Sequence, residues 1–170
     1  MTKELQGRVA IITGSAMGIV RSCALRMAQE GARVVLGDVD AKAGAEVQQE
    51  IVSTAGTAVF VRADVTSMAD MEALAAAALQ HFGTIDILVN NAALGIRGVV
   101  DEIDEATWNR VMTTNLTSVW RGMKACVPVM RRHKRGAIVN MSSAQAFAGF
   151  EGWAAYAAAK GGINALTQQT

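Results

Sequence analysis

Five short runs of β-branched and other apolar residues alternate along the chain with longer, alanine-rich stretches whose apolar positions recur every three or four residues. The β-type runs are RVAIIT (8–13), ARVVLGD (32–38), TAVFVRAD (57–64), IDILVN (85–90) and AIVNMS (137–142). They are nearly all apolar at successive positions, which is what strands of a parallel sheet covered on both faces require. The stretches 18–30, 41–55, 68–82 and 104–132 read as helices, the last as two. The third carries Met71, Leu74, Ala75, Ala78 and Phe82 on one stripe, and the fourth repeats Met112, Leu116, Val119, Met123, Val127 and Met130. A stripe of that kind makes a core or a subunit seam. Parallel neighbours need right-handed helical crossovers, so the predicted fold is a doubly wound α/β sheet, Rossmann-like, in one domain over residues 1–170.

Composition narrows the function. The 170 residues are 51% hydrophobic and 18% charged, with 16 basic against 15 acidic side chains. That balance lacks the basic excess of a nucleic-acid binder, and no apolar run approaches the ~20 residues that cross a bilayer, so neither nucleic acid nor membrane is an expected partner. Cys23 and Cys126 lie in helical stretches without CxxC or Cys/His spacing, and His81 and His133 sit on polar ends. Buried packing for both cysteines, surface positions for both histidines, no metal site and a cytoplasmic compartment with reduced thiols are the expectations.

Chemistry enters directly after the first strand, at TGSAMGIV (13–20). Gly14 allows a turn other residues resist, and Gly18 lets backbone amides approach a diphosphate at the start of the next helix. Asp38 ends the second strand twenty residues after Gly18, where a carboxylate accepts hydrogen bonds from an adenosine ribose. It would repel a 2′-phosphate, and Ser15, Ala16 and Met17 include no cation to attract one. NAD is therefore expected over NADP.

Near the other end, Tyr156 and Lys160 stand four residues apart, on one face of a helix. A phenol with an ordinary pKa near 10 is a poor base at neutral pH. A cation about 4 Å away, at an effective dielectric near 20, is worth roughly 4 kcal/mol and can make up the difference.

These features together resemble the short-chain dehydrogenase/reductase family. The TGxxxGxG turn is at Thr13–Val20, the strand-end Asp at Asp38, the Asp-Val pair at Asp64 and Val65, and the NNAG stretch at Asn90–Ala93. The helix Asn is Asn115, the Ser is Ser143, thirteen residues before the tyrosine, and YxxxK is Tyr156 and Lys160. The resemblance implies hydride transfer between NAD(H) and an alcohol or carbonyl substrate. In that scheme Tyr156 is the general acid/base and Lys160 lowers its pKa while holding the nicotinamide ribose. Ser143 orients the substrate oxygen, and Asn115 carries a water that links Lys160 to solvent. The cofactor would lie on Gly14, Ser15, Met17, Gly18, Ile19, Asp38, Asp64, Val65, Asn91 and Ala92, with Tyr156 and Lys160 at its nicotinamide end. A homodimer or homotetramer is implied. The loop AQAFAGFEGWAA (144–155) would border the substrate, and its Gln145 and Glu151 would suit a polyol or sugar.

Two positions depart from the family pattern. Val20 replaces the third glycine, and overpacking there is expected to cost about 1–3 kcal/mol, felt as weaker cofactor binding. Ala93 replaces the glycine of NNAG. Family members usually run on to further strands, so the chain is expected to be incomplete at its C-terminal end. The alternative to an enzyme is a catalytically silent dinucleotide-binding or assembly module whose Met stripe and Tyr156 helix pair with a second copy. The sugar-nucleotide epimerase branch, with its GxxGxxG turn, fits less well because Gly14 and Gly18 are four apart.

Overall fold

In the computed structural model, which describes residues 3–169, five parallel strands form one sheet in the order β3-β2-β1-β4-β5. The strands are β1 (Val9–Thr13), β2 (Arg33–Asp38), β3 (Thr57–Arg62), β4 (Ile87–Asn90) and β5 (Ala137–Asn140). The helices are α1 (Gly18–Gln29), α2 (Ala41–Ser53), α3 (Met68–Phe82), α4 (Glu105–Met112), α5 (Ser118–Arg132) and α6 (Ala154–Thr167). This is the predicted doubly wound arrangement. Thr170, at the end of the stretch expected to continue α6, lies outside the described residues.

Alternation along the central strands sends side chains into two cores. On one face Ile11, Val35 and Leu88 pack with Met71, Leu74 and Ala78 of α3, Met123 and Cys126 of α5, and Ile163 of α6. On the other, Ile12, Val34 and Leu36 pack with Val20 and Ala24 of α1 and Val47 and Ile51 of α2. Strand order reverses between β1 and β4, because β1 pairs with β2 on one side and β4 on the other. The crevice beyond the carboxyl ends of these strands is where an open α/β sheet binds its ligand.

Two expectations change and two are refined. The β5 edge strand is not covered on both faces: Ile138 packs against the core, but on the opposite face Ala137 is exposed and Val139 is 48% exposed. The Met stripe takes the first of its two expected uses, since Val119, Met123 and Met130 are buried in the chain's own core. The outer side of α5 presents instead an exposed Trp120, with the Lys124 ammonium 4.9 Å from its ring centre. Cys23 is exposed rather than buried, since it falls on the outer side of α1, whereas burial pushes the Cys126 thiol up to about 12. The stretch 104–132 forms the two expected helices, α4 and α5, without a loop between them. A π-helical turn, Thr113–Thr117, joins them, with right-handed helical backbone at both junctions. His81 and His133 are both exposed.

Candidate active site

The turn after β1 is built from hydrogen bonds to β2 and β4. The Gly14 N–H donates to the Gly37 carbonyl at 2.8 Å, and the Thr13 hydroxyl accepts from the Asn91 N–H at 3.1 Å while donating to the Val89 carbonyl. Gly14 has φ +67°, and a Cβ there would stand 2.9 Å from the Ala92 Cα, so the turn needs glycine on two counts. Gly18 has φ +63°, but a Cβ there would meet open space.

That open space belongs to a cavity of about 680 Å³. Its walls include Gly14, Met17, Gly18, Ile19, Asp38, Asp64, Val65, Asn91 and Ala92. Ser15 is not among them: it is fully buried, and its hydroxyl turns back to the Gly37 carbonyl at 3.4 Å. Asp40, Ser67 and Asp104 cap α2, α3 and α4 with side-chain oxygens. At α1 the Met17 side chain makes no such bond and the first turn holds no acid, so its amide end is left to whatever fills the cavity.

Asp38 does two things at once. Its carboxylate accepts from the Ala16 N–H at 2.9 Å and from the Asp40 N–H at 3.0 Å, which ties the end of β2 to the turn after β1. Across the cavity, Asp64 accepts from both the N–H and the hydroxyl of Thr66, at 2.8 and 2.7 Å, and its own N–H donates to Asp70 at 2.8 Å. That N–H, followed by the Ser67 hydroxyl, holds the Asp70 carboxyl below the usual carboxylate range. The same Ser67–Asp70 pairing starts α3, so one local motif both begins a helix and fixes the cavity wall.

The proton-transfer candidates converge on α6. Lys160 is buried, and its ammonium donates to the Met141 carbonyl at 2.6 Å and lies 5.5 Å from the centre of the Tyr156 ring. Burial holds that ammonium below the usual lysine range. Ser142 donates to the Lys160 carbonyl at 3.1 Å, so the end of β5 is stitched to α6 twice. Ser143 caps a short 3-10 turn, Ala144–Ala146, its oxygen accepting from the Gln145 N–H at 3.3 Å. Asn115 sits buried in the π-helical turn. It accepts from the Leu94 N–H at 2.6 Å and donates to the Leu94 carbonyl at 2.8 Å. Leu94 lines the cavity, and α6 packs on both the π-helical turn and the 3-10 turn, but Asn115, Ser143, Tyr156 and Lys160 are not themselves among the residues lining that cavity.

The sequence profile of the family described as short chain dehydrogenase matches residues 8–170. The chain belongs to the short-chain dehydrogenase family. A curated relative, trans-4-hydroxycyclohexanecarboxylate dehydrogenase from Sinomonas cyclohexanicum, is 40% identical over 167 residues, which are 95% of this chain and 64% of the relative. The chain thus spans somewhat under two thirds of that relative's length. Two solved short-chain dehydrogenases superpose on it at 34% identity. One, a metagenomic oxidoreductase in complex with NADP, has TM-score 0.92 and covers 97% of this chain and 75% of its own. The other, from Burkholderia phymatum in complex with NAD, has TM-score 0.94 and covers 98% and 59%.

Within this family frame Val20 changes meaning. It is 2% exposed and joins the core of Ile12, Leu36 and Val89, and it also lines the cavity beside Gly18 and Ile19. Sequence reasoning missed Arg110 and Thr114, which line the cavity from α4 and the π-helical turn. Neither belongs to a motif; only the path of the π-helical turn brings them there. It also missed the Met141 carbonyl that holds Lys160, a backbone group with no signature of its own.

Proposed function

We propose that this chain carries the hydride-transfer site of an NAD-linked oxidoreductase that acts on a secondary alcohol or the matching carbonyl compound. The observation that supports it most is the placement of Tyr156 beside a buried Lys160 on α6, next to the elements that bear Ser143 and Asn115. The cavity suits a dinucleotide: open glycines, an uncapped helix start, a carboxylate and an apolar slot beside Val65. Gly14, Met17, Gly18 and Ile19 would hold its diphosphate, Asp38 its ribose, and Asp64, Val65, Asn91 and Ala92 its adenosine side. The nicotinamide, when bound, takes up or returns the hydride.

The rest of the chemistry falls to the chain. In oxidation Tyr156 accepts the substrate hydroxyl proton, and in reduction it gives that proton back. Ser143 donates to the substrate oxygen and fixes its direction. Lys160 stabilises the phenolate of Tyr156 by charge, in a setting where burial strengthens each such interaction. Asn115, by pinning Leu94, keeps the π-helical turn in place for a water that passes protons outward. The Asp38 charge favours NAD over NADP. Because the Sinomonas relative is named for a hydroxylated cyclohexane, ring-bearing secondary alcohols are the first class to assay, with polyols and sugars second. A cytoplasmic location, with free thiols, and assembly with further copies of the chain complete the reading.

Turnover of a panel of such alcohols, followed by NADH absorbance, tests the proposal. Wild type should turn over at least one of them, and Tyr156→Phe should abolish that activity. Undiminished turnover in the variant removes Tyr156 from the chemistry, and failure to bind NADH in a fluorescence titration removes the cofactor reading.

A further inference from the structure

The segment after β4 reaches back to the start of α6. The Gly98 N–H donates to the Gly152 carbonyl at 2.9 Å, and the Gly98 carbonyl accepts from the Ala154 N–H at 3.3 Å, so Gly98 and Trp153 pair as in a short parallel bridge. Between them the segment closes over the indole of Trp153. A Cβ on Gly95 would lie 3.1 Å from that ring, and the Arg97 guanidinium is stacked 5.8 Å from its centre. The indole in turn meets the Tyr156 ring edge-on, with centres 5.6 Å apart and planes at 67°. Lys160 lies on the same phenol at 5.5 Å. A cation–π contact, an aromatic edge contact and a second cation–π contact therefore run in series from residue 97 to residue 160.

We propose that Trp153 is a positioning residue for Tyr156. Clamped by the Gly95–Gly98 strap, its ring sets the plane of the phenol and keeps the phenol oxygen within reach of the Lys160 charge. This inference rests on the reading of Tyr156 as the proton-transfer group, and no motif on the chain marks Trp153. The charged groups around the phenol are few. Lys160 shares its helix, Arg97 acts across the indole, the exposed Glu151 precedes the bridged Gly152 and Trp153, and α4, which packs on α6, contributes the exposed Glu105 and Arg110. The 3-10 turn and the π-helical turn carry no charge.

Tyr156 is the single tyrosine of the chain, so the absorbance band of ionised phenol reports it alone. Alkaline titration of wild type, Trp153→Ala, Trp153→Phe and Arg97→Ala is therefore paired with steady-state kinetics and NADH titration. If Trp153 positions the phenol, Trp153→Ala releases it from the ammonium, so its titration midpoint rises and kcat falls about tenfold or more, while NADH affinity stays within about twofold. Trp153→Phe restores most of both, and Arg97→Ala moves the midpoint the same way by less. A midpoint that falls in Trp153→Ala means the indole only kept water out, and that overturns the proposal. So does an unchanged midpoint with unchanged kcat, or a folded Trp153→Phe that rescues nothing. Should Trp153→Ala fail to fold, Trp153→Phe and Arg97→Ala decide: near-normal kinetics in Phe with a raised midpoint in Arg97→Ala supports the role, and no shift in either overturns it. Full activity of Tyr156→Phe would sink the proton-transfer reading itself, a result distinct from any of these.

Discussion

The Lys160 ammonium is held by the Met141 carbonyl at 2.6 Å, on the strand end that faces α6, and among the described residues it pairs with no carboxylate. A carboxylate would compete with the phenolate for the positive charge, whereas a carbonyl orients the ammonium and leaves that charge uncompensated beside Tyr156.

Stability should carry the mark of that burial. Because burial lowers the Lys160 pKa, the folded chain gives up this proton at a lower pH than the unfolded chain does. Its contribution is therefore complete above the ordinary lysine value near ~10.4 and is lost as pH falls through the lower folded value. Lys160→Met abolishes that dependence. Urea unfolding of both proteins at pH 7 and pH 10 should show the variant's stability relative to wild type greatest near neutrality and declining toward pH 10. Turnover of the variant should drop by at least about 100-fold. A difference that is flat with pH would show that the ammonium is not desolvated.

Asn115→Ala should cost both stability and cofactor affinity. The Asn115 amide satisfies the N–H and the carbonyl of Leu94 together, and it is 1% exposed. Losing both bonds is expected to cost about 2–3 kcal/mol in urea unfolding. Because Leu94 lines the cavity, NADH binding weakens in the same variant. Asn115→Asp keeps the acceptor but sets a carboxylate against the Leu94 carbonyl, so its stability should recover as pH is lowered far enough to protonate that carboxylate.

Asp38→Asn separates charge from shape. The amide oxygen can still accept from the Ala16 N–H and keep the tie to the turn, while the amide nitrogen takes the place of the oxygen that accepted from the Asp40 N–H, so that local bond is lost along with the negative charge. NADH affinity should fall about tenfold and NADPH affinity should rise by a similar factor, a change of about 1.4 kcal/mol each. Parallel fluorescence titrations read both. If the ratio of the two affinities does not move, Asp38 does not set the preference and acts only as the tie between β1 and β2.

Much of this site was legible because its parts are local in sequence. The glycines of the turn follow β1 at once, Asp38 ends β2, and Tyr156 and Lys160 are one helical turn apart, so spacing alone put them on defined elements. The strand runs were equally plain, since hydrophobic residues at successive positions have few other uses. What escaped depends on contacts between distant segments. Nothing in TTNLT announces a π-helical turn, from which Asn115 bonds Leu94 twenty-one residues earlier. Trp153 reads as loop packing until Gly95 and Arg97 close over it. Cys23 shows the converse error: a helical cysteine was expected inside, but the face of α1 that carries it points outward.

Val20 offers the sharpest contrast between motif and structure. Read as a missing glycine, it obstructs the cofactor, and Val20→Gly should tighten NADH binding. Packed as it is with Ile12, Leu36 and Val89, it is at once part of the core and of the cavity wall. Val20→Gly then removes three buried carbons and places glycine in the first turn of α1, a loss of about 2–4 kcal/mol. Urea unfolding should register that loss, and NADH affinity should stay within about threefold of wild type once the folded fraction is accounted for. Tighter binding by tenfold or more, with stability unchanged, would return Val20 to the role the motif gives it and remove it from the core.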